Sequence, residues 1–323
     1  MQVFQDAFHA GDLPRGAVAT IGNFDGIHRG QRAVIDRVVH RARELSRPSA
    51  VMTFEPHPLG VLRPGEAPAM LTTPRTKRRL LEEAGVDALL IIRFDRDFSA
   101  TPAERFVREF LGGTLGISEL HVGSGFSFGH RRQGDLELLS RLGRELGFEA
   151  RAAEEVSYHG ERISSTRIRR ALAEGRVGDA REMLGRPYAL EGTVARGDRM
   201  GQRLGWPTIN LDPDSELIPA DGVYAGRIAF RELPGVFVCT TNVGTRPTVY
   251  ENHQRVVESH VLDFTADVYG QPIEVWFHKR LREERLFPTV MDLSAQIRRD
   301  VEATREYFAA RRRLEAQAAS QDA

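Results

Sequence analysis

The constraint that most narrows the fold is a change of pattern near Gly185-Arg186-Pro187. Before it, short apolar runs alternate with amphipathic stretches of helical period. After it, short strands follow one another across Gly, Pro and Asp turns with no helix between them. Strand–helix alternation builds a parallel sheet covered on both faces, because parallel strands need a crossover that a helix supplies. Strand after strand builds an antiparallel barrel or sandwich. A chain carrying both patterns in succession is not one sheet, and 323 residues is the length of about two ordinary domains. We expect an α/β domain over residues 1–185 and a β domain over 186–323 that ends in a helix.

Within the first half, the pattern predicts strands at 17–21, 50–54, 88–94 and 119–122. It predicts helices at 30–45, 75–84, 102–111 and 136–146. Two short helices, 166–173 and 177–184, are expected to close this half. The second half reads as strands at 188–195, 207–211, 223–230, 236–241, 255–264 and 273–279. Leu293, Ile297 and Val301 are spaced by four, with Phe308 two turns on, which predicts a terminal helix. The charged, small-residue tail beyond Arg311 is expected to fray.

Composition removes several function classes. Lys plus Arg equals Asp plus Glu, 45 each, so no global attraction to nucleic acid or anionic lipid is expected. The longest apolar runs, such as 88–92 ending at Arg93, fall far short of the roughly 20 residues of a membrane span. Asp6, His9 and Asp12 stand where a signal peptide needs an apolar core. The single cysteine, Cys239, excludes an intrachain disulfide and a multi-cysteine zinc site. The expectation is a soluble, cytoplasmic protein with neither nucleic acid nor membrane as partner; a homo-oligomer stays open. Lys77 and Lys279 are the only lysines, and neither follows a glycine-rich turn. That eliminates the Walker A loop, so any ATP must be held by another device.

Two stretches of the first half carry chemistry. The first strand is followed by Gly22-Asn23-Phe24-Asp25-Gly26-Ile27-His28-Arg29-Gly30, leading into a helix. Backbone N–H groups and the dipole at such a helix start favour phosphate, and His28 could donate to a phosphate oxygen. A tight strand-to-helix turn ending in a polar residue accounts for the same spacing. Ile163-Ser164-Ser165-Thr166-Arg167-Ile168-Arg169 puts hydroxyls at a helix start and an arginine on its first turn, a set able to hold triphosphate oxygens. An ordinary serine-capped helix reads the same way.

The second half offers a different set. Gly192 to Gly201 leads into Leu204-Gly205-Trp206-Pro207-Thr208-Ile209-Asn210. Gly197, Gly201 and Gly205 would let a loop close over phosphates through backbone amides, with no lysine. Thr208 and Asn210 are two apart on a predicted strand and share a face, offering two hard oxygens suited to Mg²⁺. The alternative is a glycine-rich hairpin beside an edge strand. In Val256-Val257-Glu258-Ser259-His260-Val261, alternation puts Glu258 and His260 opposite Val257 and Val261. Glu258 could take a proton from a substrate hydroxyl attacking a γ-phosphate, or the face could be merely solvated.

The pair of elements in the first half resembles the nucleotidyltransferase superfamily. A closer resemblance runs along most of the chain. The loop 22–30, Thr53-Phe54-Glu55-Pro56-His57-Pro58, Val122-Gly123 to Phe128-Gly129, and Ile163 to Arg169 stand in the order and spacing of the bacterial bifunctional riboflavin kinase/FMN adenylyltransferase (FAD synthetase) family. Pro207 to Asn210, Gly222-Val223-Tyr224, Asn242 to Thr248, Glu258 to Phe264, Asp267 to Gly270 and Leu281 to Glu284 resemble its riboflavin kinase domain. The resemblance implies a nucleotidyltransferase-like, Rossmann-like first domain and a riboflavin-kinase-like antiparallel β-barrel.

It further implies ATP-dependent phosphorylation of riboflavin to FMN, and transfer of AMP from ATP to FMN giving FAD and pyrophosphate. His28 would stabilise charge on the transferring phosphate. Gly22, Phe24, Gly30, Ser164, Thr166 and Arg169 would hold ATP. Phe54, His57, Phe126 and Phe128 would lie by the flavin. In the second domain Glu258 would be the base, Thr208 and Asn210 the Mg²⁺ ligands, and Gly197, Gly201 and Gly205 the phosphate loop. Two positions depart from the family pattern. Gln31 stands where a second histidine is expected, and Gly125 where Asn or Asp is usual. Both point to slower adenylyl transfer, or to a kinase with a degenerate first domain; a non-enzymatic flavin-binding regulator is the remaining reading.

Overall fold

The computed structural model describes residues 1–196, 201, 205–245 and 255–321, without the side chains of 318–321. The chain forms two compact units, Met1–Ser165 and Thr166–Ala323.

The first unit is built on a six-stranded, wholly parallel sheet. In chain order its strands are β1 (Gln2–Phe4), β2 (Val18–Ile21), β3 (Ser49–Glu55), β4 (Ala88–Arg93), β5 (Glu119–Val122) and β6 (Glu149–Ala152), arranged β1-β4-β3-β2-β5-β6. Helices α1 (Arg29–Glu44), α2 (Pro58–Leu62), α3 (Pro74–Glu83), α4 (Arg96–Ser99), α5 (Ala103–Arg105) and α6 (Leu136–Leu146) connect them. The strand apolar runs are continuous because successive side chains enter opposite, equally covered faces. Val51, Leu89 and Ile91 pack with Ile35, Val39 and Leu81 on one face. Met52, Leu90 and Ile92 pack with Phe106, Phe110 and Leu139 on the other.

Three local departures from the sequence reading have simple causes. The outer strands β1 and β6 are short and largely exposed, so they lack the apolar run that marks a strand. The helix expected at 102–111 is a single α-turn running into a π-helix, Phe106–Thr114, with Leu115 N bonded to Phe110 O at 2.9 Å. Over two turns, apolar spacing does not separate the two forms. A two-residue hairpin pairs β7 (Ser157–Tyr158) with β8 (Glu161–Arg162).

The second unit begins with α7 (Ser165–Ala173) and α8 (Val177–Leu184), the two helices expected to close the first half. By packing they divide from it: α8 lies against strands of the second unit. An amphipathic helix reveals a buried face but not its partner. The strands that follow are β9 (Tyr188–Ala195), β10 (Ile209–Pro213), β11 (Gly222–Phe230), β12 (Leu233–Thr245), β13 (Arg255–Val261) and β14 (Pro272–Arg282). They close into an antiparallel barrel, β10-β13-β12-β11-β14-β9, with β9 paired back to β10.

The terminal helix α9 (Val290–Gln321) packs on β11 and β12. Thr304 meets Thr240 at 2.9 Å, and Phe308 is buried. Where a frayed tail was expected after Arg311, the helix continues to Gln321. Alanine-rich composition and an Arg311–Glu315 pair at 3.4 Å support the extra turns.

Candidate active sites

In the first unit β2 is buried along its whole length, and the chain leaves its carboxyl end through Gly22–His28. This loop is held from several sides. The Gly22 N–H donates to the Met52 carbonyl at 3.0 Å. The Asn23 carbonyl accepts from Thr53 Oγ1 at 3.2 Å and Lys77 Nζ at 3.0 Å. Asp25, 2% exposed, accepts from the Leu71 and Thr72 N–H groups at 2.9 and 3.3 Å. Phe24 and Ile27 adopt positive φ, 44° and 40°, with Gly26 at 90° between them. A non-glycine residue there costs on the order of 1–3 kcal/mol. The loop keeps that shape because both side chains are sunk in the core while the carboxylate of Asp25 is tied down. Phe24 thus serves the turn through its buried ring.

His28 is the N-cap of α1, and Gln31 completes a capping box. The Gln31 N–H donates to His28 Nδ1, and Gln31 Oε1 accepts from the His28 N–H, both at 3.2 Å. With Nδ1 accepting, the hydrogen of a neutral His28 lies on Nε2. Gly30, next on the helix, lies against the His28 ring: a Cβ there would come within 3.3 Å. The Ser165 hydroxyl donates to the Asp25 carbonyl at 2.8 Å, so Ser164 belongs to the same neighbourhood. Thr166 is exposed and Arg169 half-buried on α7.

The aromatic positions sit over the same sheet. His57 caps α2, accepting from the Leu59 N–H at 3.2 Å, and its Nε2 is 3.1 Å from the Asn23 amide. Phe54 contacts Phe94 and Phe98 at 5.7 and 6.0 Å between ring centres, and Phe126 stacks on Phe128 at 5.5 Å. Lys77 was missed by sequence reasoning, which considered it only as a Walker lysine. It is 5% exposed, and burial pushes its ammonium below the ordinary lysine range against the opposing pull of Asp25 and Glu55.

In the second unit a row of polar side chains crosses three strands. Glu258 of β13 is paired with Asn210 of β10 on one side and Asn242 of β12 on the other. The expected alternation on β13 holds, with Val257, Ser259 and Val261 buried and Glu258 and His260 half-buried. Glu258, Asn242, Thr208, His260 and Arg282 line a cavity of about 510 Å³, with Trp206, Phe287 and Ile297 as apolar wall. A second cavity, of about 560 Å³, is lined by Val194, Phe264, Asp267, Val268 and Tyr269. Thr208 belongs to both, whereas Asn210 lines neither.

Thr208 is held by its surroundings. His260 Nδ1 donates to the Pro207 carbonyl at 2.8 Å, and Trp206 Nε1 donates to Ser294 Oγ at 3.1 Å. Gly201 lies so close that a Cβ there would be 2.3 Å from the Trp206 carbonyl and 3.1 Å from Thr208 Oγ1. Gly205 takes φ +80°; Gly197 lies outside the described residues, as do Arg246 to Thr248 of the resemblance. On the far wall Arg282 grips Asp300 of α9, Nε to Oδ2 at 3.0 Å and Nη2 to Oδ2 at 2.9 Å. Asn242, Arg282 and Asp300 were not singled out from sequence; Asn242 and Arg282 flank Val223 in the strand ladder, and Arg282 then holds Asp300.

Comparison with known proteins covers both halves of the chain. The FAD synthetase family pattern matches residues 11–167, and the riboflavin kinase pattern residues 184–308. The bifunctional riboflavin kinase/FMN adenylyltransferase of Escherichia coli K12 is 42% identical over 91% of this chain and 93% of its own length. The chain belongs to the bifunctional riboflavin kinase/FMN adenylyltransferase family. Its Pseudomonas fluorescens member is 40% identical over 90% of this chain, and that of Haemophilus influenzae 35% over 95%, covering 93% and 99% of their own lengths. A Streptococcus pneumoniae crystal structure, described as a macrolide-efflux protein, matches with a TM-score of 0.85 at 28% identity, over 94% of this chain and 98% of that one. Among the described residues no helix is long and apolar enough to cross a membrane.

Against the family pattern, both departures now have a local account. Gly125 takes φ +71°, a left-handed conformation that glycine, asparagine and aspartate tolerate best. The backbone turn is therefore kept while a polar side chain is given up. Gln31 likewise keeps the helix start by capping it, and gives up a charge.

Proposed function

We propose that the chain makes FMN from riboflavin at the barrel cavity and FAD from FMN at the loop after β2, using ATP in both reactions. What carries the kinase reading is one observation: Thr208 is common to two cavities, and Glu258 lines the first of them. The first cavity, with Trp206 and Phe287 in its wall, suits a flat flavin ring. The second, with Phe264 and Tyr269, suits an adenine base. Riboflavin's terminal ribityl hydroxyl then meets the γ-phosphate beside Thr208. Glu258 accepts the hydroxyl proton as the oxygen attacks phosphorus, and ADP leaves. Asn210 and Asn242 flank that carboxylate in the strand ladder, and His260 holds the Pro207–Thr208 segment in place.

Mg²⁺ fits the donor set. A hydroxyl and an amide oxygen are hard donors, suited to an ion that keeps water and substrate phosphates as most of its shell. Thr208 and Asn210 would hold it with hard oxygens, and it would offset charge on the ATP phosphates. Gly197, Gly201 and Gly205 would cover those phosphates.

For adenylyl transfer, the FMN phosphate attacks the α-phosphorus of ATP and pyrophosphate leaves. His28 donates through Nε2 to the oxygen that gains charge. Gly22 and Gly30 leave the backbone open to the nucleotide, and Phe24 keeps the loop in shape. Ser164, Thr166 and Arg169 are the ATP-phosphate ligands that the resemblance implies, and Phe54, His57, Phe126 and Phe128 the flavin contacts. Residues 1–185 serve this reaction and 186–323 the kinase.

The test is Glu258→Gln. Formation of FMN from riboflavin falls at least 100-fold, on the order expected for removing a general base, while formation of FAD from supplied FMN stays at the wild-type rate. Near-normal FMN formation would remove Glu258 as the base.

A further inference from the structure

A second cationic centre lies on the barrel unit, away from the residues assigned to phosphoryl transfer. Arg181 of α8, Arg227 of β11, Lys279 of β14 and Arg311 of α9 gather round two rings of α9. The Arg227 guanidinium carbon is 5.0 Å from the centre of the Phe308 ring, and Lys279 Nζ is 5.8 Å from that of Tyr307. Arg181 and Arg311 each direct Nη1 at the Tyr307 hydroxyl, at 3.4 Å. Among these groups is His278, 7% exposed, its ring 5.0 Å from Phe308 and 6.4 Å from Tyr307. His278 Nδ1 is buried and has no hydrogen-bond partner among the described residues.

Counter-charge is short here. Glu182 lies 2.7 Å from Arg181 and Glu315 3.4 Å from Arg311. Among the described residues, Arg227 and Lys279 have no carboxylate at ion-pair distance. Four cations therefore face two carboxylates, on a chain whose overall counts balance at 45 each. Aromatic faces attract cations but do not neutralise them, and a buried nitrogen without a partner is costly to keep. Burial, helped by the neighbouring Arg227, Arg311 and Arg181 charges, pushes the His278 imidazole down to about 4. The centre is distinct from the kinase cavity. Asp300 is the last α9 residue to line that cavity, and Phe308 is about two helical turns further on, roughly 12 Å along the axis.

We infer that this cluster is a binding site for a phosphate-type oxyanion carried by a small molecule. Arg227 and Lys279 act as its principal ligands, and the buried His278 ring as its floor. Guanidinium groups match such oxygens in paired hydrogen bonds, and the ammonium adds a point charge. Inorganic phosphate, pyrophosphate and the phosphate of a nucleotide share this chemistry.

The test reads His278 directly. The full chain is prepared with histidine ring carbons labelled, and the His278 resonance is assigned with His278→Gln. It is then titrated at constant pH and ionic strength with sodium phosphate, pyrophosphate, AMP or chloride. The His278 signal moves saturably with at least one of the three oxyanions and not with chloride; the one that saturates at the lowest concentration identifies the source. In the double variant Arg227→Gln/Lys279→Gln the midpoint rises about 100-fold, roughly tenfold for each lost charged contact. That variant's kinase rate with riboflavin stays at the wild-type value, which shows that it is folded. A signal that responds to the oxyanions no more than to chloride would overturn the inference. So would an equal response in the double variant, because the shift would then come from anions bound at the catalytic sites.

Discussion

Replacing Gln31 by histidine isolates what one cation contributes at the first site. In the wild type Gln31 acts twice on His28: its N–H donates to Nδ1, and its Oε1 accepts from the His28 N–H, each at 3.2 Å. The first bond is main chain on its donor side and survives the substitution. The second is lost, at a cost of about 1 kcal/mol, and that cost falls on the start of α1 rather than on the chemistry. Against it, a protonated histidine directed at the transferring phosphate makes a charge-assisted hydrogen bond that strengthens in the transition state. Such a bond contributes about 1.5–3 kcal/mol, or roughly 10- to 150-fold in rate.

The expected result is at least a tenfold rise in FAD formation from FMN and ATP. The gain is greatest below about pH 6.5, where an imidazole carries its proton. Gln31→Ala is the control: it loses the same cap bond without adding charge, so stability falls by a similar amount and the rate does not rise. Initial rates are read by chromatography with riboflavin omitted, which keeps the kinase out of the measurement. A Gln31→His variant no faster than wild type, with the fold intact, would refute the argument that the missing cation limits this site.

Two further perturbations test other parts of the account. Glu119 is 5% exposed and is bridged to Arg41 and to His121, the latter at 2.9 Å. The Arg41 guanidinium holds its carboxyl down from 4.5 to about 2. A depressed carboxyl adds stability that is present above pH 4.5 and lost as pH falls towards 2. Burial also lowers His121, which removes stability as pH falls below its ordinary 6.5, in the same direction. The full Glu119 shift is roughly 3 kcal/mol, reduced by solvent screening to about 1–2. Glu119→Gln should therefore lower the first unit's melting temperature at pH 7 and flatten its fall between pH 5 and 3; an unchanged acid profile would count against the network. Gly201→Ala sets a Cβ 2.3 Å from the Trp206 carbonyl, displacing Thr208. It should raise the kinase KM for ATP by about 10- to 100-fold and leave FAD formation from FMN untouched; an unmoved KM would show that Thr208 is not positioned this way.

Much of this architecture is legible in the residues themselves. The uninterrupted runs of β3 and β4 announce a sheet covered on both faces, and Val257, Glu258, Ser259 and His260 show which side of β13 is wet. The glycine–histidine turn after β2 marks a helix start that can meet phosphate. What the sequence conceals is non-local. Nothing near Asn242 or Arg282 says that the register of β12 will set Asn242 opposite Glu258, or that Val223 of β11 will set Arg282 beside Asn242. The buried faces of α7 and α8 name no partner, so their place with the barrel follows only from packing. Lys77 looks like a surface lysine until the Asn23 carbonyl is placed above it. Gln31 looks like a lost histidine until its amide is found holding the histidine that remains.

Whether one chain carries out both reactions is read by product analysis. The purified protein is incubated with riboflavin, ATP and Mg²⁺, and separately with FMN, ATP and Mg²⁺, and riboflavin, FMN and FAD are then separated by chromatography. FAD is expected in both mixtures, with FMN passing through as an intermediate in the first. FMN that accumulates without any FAD in either mixture would contradict that expectation.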